Sequence, residues 1–402
     1  MRVTIKPSKA KGTVLVPPSK SMAHRALICA ALSTDSSVHN IAYSKDIAAT
    51  VDCLRKLGAC MEQDDACIKT GGLNPFALSE ETQLFCDESG STLRFFIPLC
   101  MLSDRKVTLS GSDRLFERPL TIYEDICREQ GILFEKTKNS VTVCGKLKGG
   151  NYSVPGDVSS QFISGLLFAL PLLEDDSVLT VTGKFESASY IDLTVSMLSE
   201  FGIVIDRNEN VFHIKGRQKY QNNTYTVEGD CSNAAFLDGF NLLGGEVALD
   251  GLKNDTLQGD RVYAQMFRSL QNGEKQFDLS DCPDLGPVMF AMAAYLGGAV
   301  FSGTARLCIK ESDRAAAMAE ELAKFGIVTE VQDNTVVVHG GTLTAPYEVL
   351  HGHNDHRIVM ALSLLCSITG GTIDDAQAVS KSFPDFFEKI ASLGINVEFT
   401  VA

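Results

Sequence analysis

The chain has 402 residues, more than one hydrophobic core usually supports, so we expect two domains. Hydrophobic residues make up 45% and charged residues 21%, as in a globular protein, while the formal net charge of −14 disfavours a nucleic-acid partner, which needs a basic face. The N-terminus has no apolar signal core, and the longest nearly apolar run, Phe162 to Leu173, is too short to span a membrane. We therefore expect a cytoplasmic protein with no membrane partner.

A repeated pattern runs along the chain: the last turn of an amphipathic helix, then glycine, then one or two short alternating strands. Glycine in this place is typical of a left-handed helix C-cap. A degraded copy near "FRSLQNGEKQFDL" would bring the total to six units of roughly seventy residues, three in each domain. The capping glycines of the five clear copies are Gly58, Gly131, Gly202, Gly326 and Gly394.

A second repeated element is a polar cluster followed by a helix that is apolar nearly all round. Such a helix is buried, so its N-terminus needs caps or ligands. Free N–H groups and the helix dipole attract anions to these ends. The six instances are "PPSKSMAHRALICAAL", "ESGSTLRFFIPLC", "GDVSSQFISGLLFALPLL", "GDCSNAAFLDGFNLLGG", "PDLGPVMFAMAAYLGG" and "NDHRIVMALSLLCSITGG".

The two ends of the chain each hold a strand without a local partner. The first, Val3 to Ile5, and the last, Ile395 to Val401, are therefore expected to pair. That pairing predicts an N-terminal domain of residues 14–226 and a C-terminal domain of residues 1–13 and 227–402. The chain would cross between domains near residues 13 and 227, and the two crossings would act as a hinge.

Basic side chains concentrate at or near the predicted helix N-termini. Any one of them alone is more often part of a surface salt bridge, but eight in such places indicate a site for phosphate and carboxylate groups. The substrates implied are small and carry several negative charges. The eight residues are Lys20, Arg25, Arg94, Arg118, Lys310, Arg314, Arg357 and Lys381.

The stretch "HGHNDHR" has a spacing that resembles a metal site, because His351, His353, Asp355 and His356 follow one another closely. A loop before a helix offers no rigid face for a metal, however. The twelve cysteines include no C-x-x-C pair, so free thiols in a reducing compartment are expected instead of a metal or disulfide framework. We predict no metal site and give His351 and His353 no role.

Seven short motifs are distributed over essentially the whole chain: "PPSKSMAHR", "ESGSTLR", "ERPL", "VSSQF", "KESDR", "NDHR" and "KSFPDFF". In order and spacing they resemble those of 5-enolpyruvylshikimate-3-phosphate synthases. The resemblance implies an α/β protein with the two-domain enolpyruvyl transferase fold. Each domain would contain three repeated βαβαββ units, with buried helices whose N-termini face an interdomain cleft.

The resemblance also implies a reaction. The 5-hydroxyl of shikimate 3-phosphate attacks C2 of phosphoenolpyruvate while C3 is protonated, and the tetrahedral intermediate then loses phosphate. This reaction belongs to the shikimate pathway of aromatic amino acid biosynthesis and requires no metal or organic cofactor. It needs a base, an acid and cations for two phosphates and two carboxylates. The resemblance further implies a monomer.

Matching by resemblance gives catalytic roles to Asp284 as the base, Glu311 as the acid and Lys20 as a contact of both substrates. Taken alone, Asp284 could be a helix N-cap and Glu311 a first-turn glutamate. The residues implied for shikimate 3-phosphate are Lys20, Ser21, Arg25, Ser159, Ser160, Gln161, Ser187, Tyr190, Asp284 and Lys310. Those implied for phosphoenolpyruvate are Lys20, Gly90, Arg118, Gln161, Glu311, Arg314, His356, Arg357 and Lys381.

Two other functions remain open from the sequence. A sister transferase that acts on UDP-N-acetylglucosamine would have a Lys-Asn pair near its start and usually a cysteine before an Arg-Pro. Here the start reads Ser19-Lys20-Ser21, and no cysteine stands just before Arg118-Pro119. A non-catalytic anion-binding relative is disfavoured because the candidate base, acid and lysine are all present.

Overall fold

The computed structural model describes residues 1–78 and 81–400, which form an α/β protein of thirteen α-helices and twenty-one strands within those ranges. The helices are α1 (Lys20–Leu32), α2 (Lys45–Lys56), α3 (Gly90–Cys100), α4 (Asp113–Glu117), α5 (Thr121–Gln130), α6 (Ser160–Ala169), α7 (Ala188–Glu200), α8 (Cys231–Leu242), α9 (Tyr263–Gln271), α10 (Gly286–Tyr295), α11 (Arg314–Lys324), α12 (His356–Thr369) and α13 (Phe386–Ser392). The strands are β1 (Arg2–Lys6), β2 (Lys11–Leu15), β3 (Ser36–His39), β4 (Cys60–Asp64), β5 (Cys67–Gly71), β6 (Thr82–Phe85), β7 (Val107–Ser110), β8 (Leu133–Lys136), β9 (Ser140–Cys144), β10 (Asn151–Pro155), β11 (Ser177–Thr182), β12 (Ile205–Asn208), β13 (Val211–Ile214), β14 (Thr224–Thr226), β15 (Glu246–Asp250), β16 (Gln276–Asp278), β17 (Gly298–Ser302), β18 (Thr329–Gln332), β19 (Thr335–His339), β20 (Gly371–Ile373) and β21 (Asn396–Thr400).

The chain divides into two compact units. The N-unit is Pro18–Glu228, and the C-unit combines Met1–Pro17 with the chain from Gly229 onward. The crossings thus fall after residues 17 and 228, whereas the sequence places them near residues 13 and 227. The first lies later because β2 pairs in parallel with β15 and so belongs to the C-unit.

The repeated units are visible in the sheets. In the N-unit the sheets have the orders β14-β3-β5-β4, β6-β7-β9-β8 and β10-β11-β13-β12, each with one parallel pair followed by antiparallel pairs. In the C-unit β16-β17-β19-β18 keeps this pattern, and β20-β1-β21 and β15-β2 are reduced forms of it. A parallel bridge between Leu350 and Ile373 stands where the first strand of a full copy would lie. The predicted two-domain fold with six repeats is therefore confirmed.

The chain ends pair as the sequence predicts. Strand β1 lies antiparallel to β21, with Val3 opposite Phe399 and Ile5 opposite Val397. The last residue of the predicted strand, Val401, lies outside the described residues. All five predicted capping glycines have positive φ, between 70 and 105°, and Gly273 does the same in the degraded copy with φ 90°. These are backbone conformations that favour glycine over any residue with a Cβ atom.

One feature of the topology is not predicted by the sequence. Strand β2 leads directly into α1 of the N-unit but pairs in the C-unit, while β14 leads towards α8 of the C-unit but pairs with β3 in the N-unit. The two units have therefore exchanged the strands that precede their first buried helices, α1 and α8. Within the C-unit the Asp230 N–H donates to the Pro17 carbonyl at 2.8 Å, and within the N-unit the Ser19 N–H donates to the Glu228 carbonyl at 2.8 Å.

The six apolar helices form the cores, as predicted. Helices α1, α3 and α6 contribute to the core of the N-unit, and α8, α10 and α12 to that of the C-unit. Every residue of α12 from His356 to Ser367 is buried, as is every residue of α10 from Gly286 to Ala294. Each fully buried large apolar side chain contributes roughly 2 kcal/mol. Among the residues described, no helix is long and apolar enough to cross a membrane.

Candidate active site

In the N-unit, the N-terminus of α1 carries an ion pair. Lys20 is the first residue of the helix, and its Nζ lies 2.8 Å from Oδ2 of Asp46 in the first turn of α2. Both side chains are mostly buried, with 13% and 11% of their surface exposed. The lysine is therefore held in place at the end of a buried helix, where the helix dipole favours an anion.

Arg25 ties α1 to α7. Its Nε donates to Oγ1 of Thr194 at 2.8 Å, its Nη1 to the Ser21 carbonyl at 2.6 Å and its Nη2 to the Tyr190 carbonyl at 3.0 Å. Burial lowers the pKa of Arg25 to about 10, so the guanidinium stays charged at neutral pH. Ser187, at the N-terminus of α7, has a left-handed φ of 54°. The structure thus groups four of the residues predicted for shikimate 3-phosphate.

The N-terminus of α6 is the second polar centre of the N-unit. The Ser159 hydroxyl caps the helix by accepting from the Gln161 N–H at 3.3 Å, and Ser160 is the first helical residue. The Gln161 side chain accepts from Nη1 of Arg94 at 2.8 Å and donates to Oγ of Ser91 at 3.1 Å. Gln161 is thereby oriented beside the first turn of α3.

Gly90, the first residue of α3, lies against Arg118. A Cβ atom at Gly90 would lie 2.6 Å from Nη1 of Arg118, so a side chain here would push this guanidinium away from the helix end. Since Gln161 bonds to Ser91, which follows Gly90, three residues predicted for phosphoenolpyruvate lie together.

In the C-unit, Asp284 is surrounded by cations. Its Oδ1 lies 2.8 Å from Nη1 of Arg314 and 3.3 Å from Nζ of Lys310, and its Oδ2 lies 2.8 Å from Nη2 of Arg357. Burial alone would raise the pKa of Asp284, but the charges of Arg357, Lys310 and Arg314 hold it well below its usual value.

Arg314 connects the carboxylates of the C-unit. Besides Asp284, it contacts Glu311 at 2.7 Å through Nη2 and Asp355 at 2.9 Å through Nε, and its side chain is 1% exposed. Asp355 also caps α12 by accepting from the Arg357 N–H at 2.9 Å. The candidate base and the candidate acid are therefore bound to one guanidinium.

Arg357 is the most informative side chain of this cluster. It is 4% exposed, and among the described residues neither its Nε nor its Nη1 has a hydrogen-bond acceptor. Buried guanidinium donors are costly to leave unpaired, so they indicate a place for an anion. His356, the preceding residue, is fully buried at the start of α12. Nζ of Lys381 donates to the Asn354 carbonyl and so joins the cluster through the loop before α12.

The simpler interpretations of the two candidate carboxylates, Asp284 and Glu311, are wrong. Leu285, not Asp284, is the N-cap of α10, and it makes no side-chain cap. Glu311 precedes the N-cap of α11, Asp313, so it lies outside the first turn. Both carboxylates contact Arg314 instead.

Three residues of these clusters were missed in the sequence: Asp46, Thr194 and Asp260. Burial and the charge of Asp284 raise the pKa of Asp260 to about 7, although the charge of Arg357 and a hydrogen bond from Ser232 oppose this. Each is far in sequence from the residue that it contacts, so the spacing of residues along the chain did not indicate these contacts. For Asp260, the polar run "QGDR" in the degraded repeat was the one visible indication.

Solved structures with this fold define the class. The chain superposes on an EPSP synthase from Acinetobacter baumannii with a TM-score of 0.79, covering 99% of both chains at 24% identity. It superposes on the enolpyruvyl transferase NikO from Streptomyces tendae with a TM-score of 0.78, covering 100% of this chain and 99% of that one at 15% identity. The fold is that of the enolpyruvyl transferases.

Sequence relatives define the family. The profile described as EPSP synthase (3-phosphoshikimate 1-carboxyvinyltransferase) matches residues 5–390. The 3-phosphoshikimate 1-carboxyvinyltransferases of Clostridium kluyveri and Clostridium acetobutylicum are 40% and 41% identical to the chain, over 98% of both sequences in each pair. The chain belongs to the EPSP synthase family. It transfers the enolpyruvyl group of phosphoenolpyruvate to the 5-hydroxyl of shikimate 3-phosphate and releases phosphate, a step of the shikimate pathway.

Proposed function

We propose that the clusters described above carry out this transfer, with the N-unit holding shikimate 3-phosphate. Ser159 and Ser160 at the N-terminus of α6 would receive the phosphate group, because serine hydroxyls and helix N–H groups suit it. Arg25 would supply charge, supported by its bond to the Tyr190 carbonyl. The other contacts proposed for this substrate are Lys20, Ser21, Gln161, Ser187, Tyr190, Asp284 and Lys310.

Asp284 is proposed as the base and Glu311 as the acid. Asp284 takes the proton of the 5-hydroxyl while the hydroxyl oxygen bonds to C2 of phosphoenolpyruvate. Glu311 delivers a proton to C3. In the second half, C3 returns its proton to Glu311, the C2–O bond to phosphate breaks, and the departing phosphate takes the proton held by Asp284. The shared contact of both carboxylates with Arg314 supports this pairing.

The low pKa of Asp284 has a consequence for this mechanism. A carboxylate that neutralises Arg314 and Arg357 is a weak base. Anionic phosphoenolpyruvate would give both guanidiniums other acceptors and so raise the proton affinity of Asp284. The base would then become effective only when its substrate is bound.

Arg357 carries the proposed phosphoenolpyruvate site, because its buried Nε and Nη1 lack an acceptor within the described residues. Bound phosphate or carboxylate oxygens would satisfy them, and a charged hydrogen bond contributes about 1.5–3 kcal/mol. The residues proposed around this substrate are Lys20, Gly90, Arg118, Gln161, Glu311, Arg314, His356, Arg357 and Lys381.

Phosphate release from phosphoenolpyruvate tests the proposal. We expect release with shikimate 3-phosphate and none with UDP-N-acetylglucosamine. In Arg357→Gln the KM for phosphoenolpyruvate should rise about 50-fold, given about 2.4 kcal/mol for lost charged bonds, with the dissociation constant of shikimate 3-phosphate nearly unchanged. Arg55→Gln, on the exposed face of α2, is the matched control. An unchanged KM in Arg357→Gln would remove this residue from the site.

We further propose a cytoplasmic monomer with no metal, membrane or nucleic-acid partner. None of the twelve cysteines, all within the described residues, forms a disulfide, which supports a reducing compartment. The net charge of −14 opposes binding to nucleic acid. Light scattering should give the mass of one chain.

A further inference from the structure

The loop before α12 has an uncommon backbone. His353 and Asn354 are consecutive residues with φ of 50° and 49°, in the left-handed region that non-glycine residues rarely adopt. Two such residues cost about 1–2 kcal/mol each, so neighbouring contacts must hold the loop in this shape. The shape matters because the Asn354 carbonyl accepts from Lys381, and Asp355 binds Arg314.

The holding contacts converge on Glu321, a fully buried residue of α11. Its carboxylate accepts from the His351 N–H at 2.9 Å, from Nε2 of His353 at 2.9 Å and from Nζ of Lys324 at 3.0 Å. Lys324 also donates to the Val349 carbonyl at 3.3 Å. Val349, His351 and His353 are thus hydrogen-bonded to α11. The first residue of that helix is Arg314.

A metal ion is the competing explanation, because ligand atoms of Glu320, Glu321 and His353 lie within 4.8 Å of one another. The carboxylate of Glu321, however, already accepts from an ammonium group, an imidazole and a backbone N–H. A cation placed there would meet the charge of Lys324 3.0 Å from Glu321. The geometry favours a hydrogen-bonded ion pair.

Protonation of His353 strengthens this pair. The hydrogen bond to Glu321 raises the pKa of His353 above its ordinary 6.5, although burial opposes the shift. The contribution is complete below that ordinary value and is lost as the pH rises through the raised one. The charged or titratable groups facing the pair are Glu320, Lys324, Glu348, His351 and Asp374.

We propose that Glu321 and His353 are positioning residues for phosphoenolpyruvate, because they fix the loop that places the Asn354 carbonyl against Lys381 and Asp355 against Arg314. This inference rests on the proposed function, in which Lys381 and Arg314 contact that substrate. The positioning residues touch neither substrate, so they should affect the fit of phosphoenolpyruvate more than the chemical step.

Steady-state kinetics of three variants test the inference. In Glu321→Gln the KM for phosphoenolpyruvate should rise about tenfold with kcat within about twofold, the effect of losing one charged hydrogen bond. In His353→Gln it should rise about threefold. Glu330→Gln, an exposed carboxylate on β18 of the same unit, is the control and should leave KM unchanged. His353→Gln decides the matter if Glu321→Gln does not fold.

The pH profile separates positioning from general loss of structure. The KM ratio of His353→Gln to the unchanged protein should fall towards one between about pH 6 and pH 9, because the imidazole loses its charge. Taking this ratio cancels the ionisation of the substrate. A ratio that stays constant, or an unchanged KM in both variants, overturns the inference.

Two further results separate this inference from the proposed function. If Lys381→Met leaves the KM for phosphoenolpyruvate unchanged, Lys381 does not belong to the proposed phosphoenolpyruvate site and this inference fails with it. If Lys381→Met raises that KM while the positioning variants do not, only this inference fails. Stoichiometric zinc in the purified protein, with activity lost on EDTA treatment and restored by zinc, would establish the metal site instead.

Discussion

Two buried arginines, one in each unit, are stabilised in opposite ways. Arg25 in the N-unit donates to two backbone carbonyls and a hydroxyl, all neutral acceptors. Arg314 in the C-unit donates to the carboxylates of Asp284, Glu311 and Asp355. Accordingly, burial lowers the pKa of Arg25, whereas the surrounding carboxylates raise that of Arg314 despite its burial.

The difference indicates that the two clusters have different roles in the proposed function. Neutral acceptors orient a guanidinium without cancelling its charge, which stays available to an anionic ligand. Carboxylates cancel the charge, but they become available as bases and acids when an anion replaces them. The N-unit cluster therefore suits binding, and the C-unit cluster suits proton transfer coupled to binding.

The comparison predicts that replacing the two arginines lowers the free energy of unfolding by different amounts. Arg314→Gln takes a cation away from buried Asp355 and from partly buried Asp284 and Glu311, and should lower the free energy of unfolding by about 4 kcal/mol at pH about 7. Arg25→Gln leaves only neutral groups and should cost about 2 kcal/mol. Urea unfolding measures both. The deficit of Arg314→Gln should shrink towards pH about 5, as the uncompensated carboxylates gain protons; equal costs at both pH values would contradict the comparison.

Glu311→Gln tests whether the carboxylates of the C-unit serve turnover. The amide keeps a hydrogen-bonding group near Arg314 but cannot deliver a proton, so kcat should fall about 10²-fold. Calorimetric titration should still detect binding of shikimate 3-phosphate with little change. Glu330→Gln, on an exposed strand, serves as the control. Near-normal turnover in Glu311→Gln would exclude this residue as the acid.

Asp260 offers a smaller effect, on stability. With a folded-state pKa of about 7 against an ordinary 3.8, this carboxyl binds more protons in the folded state, so its contribution to stability falls as the pH rises between these values. Asp260→Asn does not lose stability in this way. The difference in Tm between Asp260→Asn and the unchanged protein should therefore increase by about 2 °C as the pH rises from about 5 to about 8. Asp255→Asn, at an exposed position, controls for charge alone. Parallel Tm curves would show that Asp260 does not titrate in this range.

The sequence predicted those parts of the fold that depend on local patterns. All-round apolar runs identified the six buried helices, and glycines identified the helix ends, because both are properties of neighbouring residues. The pairing of β1 with β21 followed from each strand lacking a local partner. The exchange of β2 and β14 could not be predicted, since either strand could pair in either unit by its own composition.

The candidate site shows the same limit. The resemblance supplied residues such as Asp284, Lys310 and Arg357, and the structure brings these three together. It gave no role to His353, whose contact with Glu321 joins residues 32 positions apart. Side-chain partners at such separations depend on packing, which no spacing rule encodes.

The split of the C-unit between the two ends of the chain also has a consequence for synthesis on the ribosome. The N-unit is one uninterrupted segment, so all its strands are available once residue 228 has emerged. The C-unit begins first but finishes last, because β1 needs β21 and β2 needs β15. At about 5–20 residues per second, β1 remains without its C-terminal partner for tens of seconds or longer. The nascent chain therefore holds β1 without β21 until its last residues are made, whereas every strand of the N-unit has emerged earlier.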